Sequence, residues 1–220
     1  MISRRMILGG AAVFALVSPP RQAAADATSA LTPKARDLQR VLDSYDLAHL
    51  WLAGEKVHWE TGEPTGARIT NGSKHTHCSA FVASVAKRLG IYILRPPEHS
   101  ATLLANAQLD WLDAASASQG WRSIGDAEDA QAAANAGDFV VACYRNHHDD
   151  KPGHIAIVRP SDRTMSDIAA DGPAITQAGA RNYTDTTLRI GFAGHPRAWA
   201  KDREIRFFAH QWDGTGKISG

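Results

Sequence analysis

Cysteine is scarce: Cys78 and Cys143 are the only two in 220 residues. A pair closes one bridge at most, and a chain of this length buries enough apolar surface to fold without it. A disulfide framework is therefore excluded as the source of stability. Neither sign of charge prevails, since 24 Lys and Arg face 23 Asp and Glu. No basic stripe interrupts that balance, so the electrostatic footprint of a nucleic-acid binder is missing. Beyond residue 30 no apolar run approaches the roughly 20 residues of a membrane span. There are no internal repeats, alanine is the one compositional bias, and no shift in composition marks a second domain.

What is present begins with MISRRMILGGAAVFALVSPPRQAAADA. Arg4 and Arg5 make a positive start, residues 7–17 an apolar stretch too short for a bilayer, and Ala25 or Ala27 a small-residue cleavage point. This is the pattern of a secretory signal over residues 1–27. Ser3-Arg4-Arg5 resembles a twin-arginine signal, the alternative being an ordinary one with a chance arginine pair. The expected location of the mature chain is the periplasm or the outside of the cell. Cleavage after Ala25 takes away three arginines and no acid, so the formal charge moves from +1 to −2. Residues 28–220 are then read as a single domain.

Apolar periodicity predicts helices over 33–53, 78–89, 101–114 and 127–135. Thr32 before Pro33 forms a cap with proline in the first turn, and Gly90 and Gly137 stop the second and fourth helices. The period then changes to that of strands at 139–144, 154–159, 173–178, 188–192 and 204–209. Helices first, then short strands joined by hairpin-length turns, make an α+β fold with N-terminal helices on a mostly antiparallel sheet.

The stretch HTHCSAFVASV, residues 75–85, puts Cys78 at the start of a small-residue helix. Helix N-terminal N–H groups and a neighbouring imidazole both favour a thiolate there, so Cys78 is a candidate nucleophile. The competing reading is a buried small hydrophobe, a common fate of free cysteine. His154 opens the strand HIAIVR after Gly153 and is the candidate base. Strand alternation sets His154, Ala156 and Val158 on one face and Ile155 and Ile157 on the other. Gln177, on the following strand, is the candidate that orients the ring, and Asn182 is the fallback.

These segments resemble the NlpC and CHAP group of papain-like cysteine amidases. The match rests on a cysteine opening a buried helix, on Gly-Asp with an apolar strand (GDFVVA), and on Gly-His with an alternating strand (GHIAIV). It covers roughly residues 72–192. The usual Asp-Cys-Ser-Gly is His77-Cys78-Ser79-Ala80 here, and Gln177 stands where histidine is frequent. The resemblance implies a papain-like fold, catalytic Cys78, His154 and Gln177, no cofactor, and peptide or amide bonds of cell-wall peptidoglycan as substrate. A papain-like fold also houses acyltransferases, and a non-catalytic binding module is the other class to be separated from it.

Two further residues are expected at the substrate: His77, beside the thiol, and Trp59, in the loop that leads to Cys78. His75, His77 and Cys78 with His147, His148, Asp149 or Asp150 have the residue types of a zinc shell. Their spacing resembles neither a zinc finger nor HExxH, so no metal is assigned. Cys143, inside VVACYR, reads as a packing residue, the alternative being a bridge to Cys78 that would block the chemistry.

Overall fold

The structure, a computed structural model, describes residues 30–66, 75–114 and 116–214. The signal sequence expected over residues 1–27 and part of the loop before Cys78 lie outside them. The elements run α1 (Pro33–Asp43), α2 (Cys78–Arg88), α3 (Leu104–Ala114), β1 (Trp121–Ile124), α4 (Ala127–Ala136), β2 (Phe139–Tyr144) and β3 (His154–Val158). There follow α5 (Met165–Asp171), β4 (Ala174–Gln177), β5 (Tyr183–Thr187), the single turn α6 (Leu188–Gly191) and β6 (Arg206–His210). The strands form a six-stranded sheet in the order β1-β6-β2-β3-β4-β5, and every neighbouring pair is antiparallel. The architecture is α+β, with helices packed against this sheet. Among the described residues no helix is long and apolar enough to cross a membrane.

Both faces of the central strands are covered, which is why FVVACY is a continuous apolar run. Phe139, Val141 and Cys143 of β2 join Ile155 and Ile157 of β3 under α1, α2 and α3. Val140, Ala142 and Tyr144 join Ala156 and Val158 on the opposite face, against α4 and α5. The second face is held to the chain beyond β3 by a buried amide network. Gln131 of α4 donates to Arg159 O (2.8 Å) and to Asn135 Oδ1 (3.0 Å), and its own Oε1 accepts from Ala174 N (2.9 Å). Replacing Gln131 with leucine keeps the volume but orphans a buried carbonyl and a buried N–H. The expected loss is about 3 kcal/mol, read as a lower urea midpoint at unchanged slope.

Local signals set most ends. Thr32 caps α1, accepting from Ala35 N at 3.1 Å. Gly137 closes α4 in the left-handed region at φ 96°. Three expectations are corrected. The helix expected over 33–53 stops at Asp43, and residues 44–50 make turns. Leu47 and Trp51 are buried as their apolar spacing requires, but Trp51 has φ 52° and donates its N–H to Gly62 O (3.0 Å). The carbonyls of Leu47, Leu50 and Trp51 are satisfied by Asn182 Nδ2, 132 residues or so away along the chain. That long-range cap replaces the missing helical bonds and leaves no local trace. The strand expected over 188–192 is the turn α6, with Leu188 and Phe192 buried four residues apart, and the strand lies at β5 instead. The helix expected from 101 begins at Leu104, because Leu103 has φ 51°. Strand β1 and helix α5, the latter with a Thr164–Asp167 capping box, carry no prediction from periodicity.

Candidate functional site

The loop before α2 is anchored from both sides. Gly54 N donates to His75 O at 3.0 Å, and His77 Nε2 meets Glu55 O at 2.9 Å. The chain then enters α2 at Cys78, with every residue from Cys78 to Ala86 buried. The small side chains of Cys78, Ser79 and Ala80 let this first turn sink against β3. The ladder between β3 and β4 has only the rungs Ile157–Thr176 and Val158–Ile175. Upstream of them the β3 edge is open, and the N–H of Ile155 is directed at the Cys78 sulfur. Cys78 is 4% exposed, and burial pushes its thiol up from its ordinary range. The N–H groups of Ile155, Ser79 and Cys78 and the Thr76 hydroxyl pull the other way without cancelling that effect.

His154 is equally buried, and burial pushes its ring below the usual imidazole range. Its Nε2 lies 2.8 Å from Gln177 Oε1. Gln177 Nε2 in turn donates to Arg181 O at 3.1 Å, which fixes the amide the right way round. An amide oxygen only accepts, so His154 carries its proton on Nε2 and keeps a lone pair on Nδ1. The ring is further held by the edge of Phe192, centroids 4.6 Å apart, and by the stacked ring of His195 at 5.8 Å. Gly191 lets α6 close over the amide: a Cβ there would meet Gln177 Oε1 at 2.5 Å.

A buried asparagine on α3 sets the strand mouth. Asn106 Oδ1 accepts from Gly153 N at 2.8 Å, and its Nδ2 donates to Lys151 O at 3.0 Å. The turn preceding His154 is thereby tied to the helix layer.

Cys78 and His154 open on one cavity of about 780 Å³, whose wall also includes His75, Thr76, Ser79 and His195. The thiol and the imidazole are not hydrogen-bonded to each other, and among the described residues the His154 ring bonds Gln177 alone. A raised thiol beside a lowered imidazole makes a neutral resting pair at neutral pH. Gln177, rather than Asn182, engages His154. Asn182 accepts from Gly179 N at 3.0 Å and otherwise caps the 47–51 turns. His77 is occupied with the Glu55 carbonyl, and Trp59 packs against the core with the Lys87 ammonium 5.3 Å from its ring. Neither is among the described residues that line the cavity. Cys143 is wholly buried and unbridged, its thiol pushed well up by burial. His147 is turned to Glu204, 2.6 Å away, and no group of three His, Cys, Asp or Glu suited to a metal exists among the described residues.

Periodicity and motif spacing pass over two residues of this site. Asn106 is a polar position inside an otherwise apolar helix. His195 sits in Gly194-His195-Pro196, a turn with no period, and the only local signal is a histidine between two turn residues. Neither a protein-family model nor a curated protein matches the chain.

Proposed function

We propose that the chain is an exported papain-like thiol hydrolase that cleaves a peptide or amide bond, with cell-wall peptidoglycan as the substrate class. The observation that carries this reading is the meeting, in one cavity, of a helix-start thiol and an imidazole whose tautomer leaves Nδ1 as the base. His154 Nδ1 takes the Cys78 proton while sulfur attacks the acyl carbon. The N–H groups at the start of α2 hold the oxyanion, donors that a helix terminus leaves unused. The imidazolium passes its proton to the leaving amine, the C–N bond breaks, and a thioester remains. Water, deprotonated by the same nitrogen, hydrolyses the thioester and returns the proton to sulfur. A transferase on this framework would pass the acyl group to another acceptor, which product analysis separates.

The burial of Cys78 and its lack of a bond to His154 favour one competing reading, a non-catalytic exported module with a structural cysteine. The rate of Cys78 alkylation against pH, in reduced protein carrying Cys143→Ala, tells them apart. With His154 neutral above its depressed pKa, general-base reaction makes the rate nearly flat between pH 6.5 and 8. In His154→Ala only thiolate reacts, so the rate is at least tenfold lower at pH 7 and climbs about tenfold per pH unit. Equal slopes in both proteins, or labelling that requires unfolding, would overturn the hydrolase.

A further inference from the structure

The same cavity holds a second imidazole that the mechanism above does not use. His195 is half-buried on its wall, and its ring nitrogens make no hydrogen bond to any described residue. The turn that carries it is rigid: His195 N donates to Phe192 O at 2.8 Å, and Ala198 N donates to His195 O at 2.9 Å. One face of the ring stacks on His154 with an interplanar angle of 17°. Tyr144 approaches from β2, its ring centroid 5.2 Å away. The described residues lining the cavity include no Asp, Glu, Lys or Arg. Among the described residues lining this space, none offers His154 or His195 a carboxylate.

We propose that His195 is the docking group for a carboxylate, carried by the part of the substrate that departs as the amine. The proposal rests on the hydrolase reading for its placement. The imidazole that protonates the leaving nitrogen must touch it, so a ring stacked on that imidazole borders the leaving-group side. The substrate class is then an acyl-amino acid whose released residue bears a free carboxylate near the scissile nitrogen. Burial and the proximity of His154 hold His195 down to about 4, so near pH 7 the ring meets a ligand as a neutral N–H donor. A carboxylate bound against that N–H favours the protonated ring and so raises its pKa. The charged side chains next to His195 in the chain and across from it are engaged with one another. Arg197 is held by Glu204 at 2.6 Å and lies 3.4 Å from Asp202, and Glu204 also meets His147.

The test uses the Cys78→Ser protein, histidine-ring NMR, and N-acetylglycine as probe with N-acetylglycinamide as its uncharged control. Saturating N-acetylglycine is expected to raise the His195 pKa by at least one unit, and the amide to leave it in place. In the same background His195→Phe, which keeps an aromatic ring on His154, is expected to weaken N-acetylglycine binding at least tenfold. Equal binding of acid and amide, or a carboxylate response at His154 or His75 with none at His195, would overturn the assignment. The two readings fail separately. A responsive His195 beside an unreactive Cys78 supports carboxylate docking and removes the hydrolase. An unresponsive His195 beside a base-assisted Cys78 removes the docking group alone.

Discussion

On the proposed hydrolase mechanism, replacing His154 with alanine is expected to lower kcat/KM on peptidoglycan fragments by about 10³-fold, the usual worth of a positioned general base. The protein stays folded, because the substitution removes a ring whose one polar side-chain partner among the described residues is Gln177. The stronger test is the shape of the pH profile. In the parent, His154 is depressed by burial, so its neutral form persists below pH 6.5 and activity falls only when the ring takes a proton at lower pH. Gln177→Glu sets a carboxylate against Nε2. It still accepts the Nε2 proton, so the tautomer survives, but it stabilises the imidazolium and raises the His154 pKa. The acid limb then moves to higher pH, while activity above it is retained. Gln177→Leu removes the acceptor, frees the tautomer and lowers kcat at every pH without moving the limb upward. A merely structural Gln177 would give the same loss in both variants and no shift.

Gly153→Ala is the second large effect, and it acts through packing. A Cβ at this position would lie 2.1 Å from Tyr144 O and 2.5 Å from Asn106 Oδ1. The first obstacle is strand backbone and the second a buried amide that holds the same turn, so neither gives way cheaply. The expected cost is about 3 kcal/mol in urea unfolding, at the upper end of ordinary overpacking. The side chain next in sequence is His154, so the displaced turn also abolishes the flat pH dependence of Cys78 alkylation. Gly125→Ala is the control, since its Cβ would meet nothing within 4 Å. Stability and alkylation profile both unchanged in Gly153→Ala would contradict the close approach seen here.

Much of this architecture is written in local chemistry. Thr32-Pro33, the run from Cys78 to Gly90 and the glycine after α4 define helix ends because capping and left-handed backbone are decided within a few residues. β2 and β3 are legible as strands because they are short, apolar and bounded by turn residues. The 44–51 segment is not, since its carbonyls are satisfied by Asn182 from the other end of the domain. Periodicity saw that Leu47 and Trp51 had to be buried and mistook the backbone that buries them. The turn α6 misled in the same way. Leu188 and Phe192 fit a buried strand or a single helical turn equally well in so short a window.

The sequence by itself determined which residue types were on offer: a cysteine at a helix start, a histidine at a strand mouth, and an amide on the next strand. These follow from nearest-neighbour effects that persist in any tertiary context. Only the folded chain decided their relations. The short β3–β4 ladder bares the Ile155 N–H to the thiol, and the Arg181 carbonyl orients Gln177 and through it the His154 proton. Asn106 seats the turn before His154, and His195 is laid on that ring from 41 positions further along. Each of these depends on contacts between segments far apart in the chain, where hydrogen-bond direction and packing distance have no counterpart in local spacing.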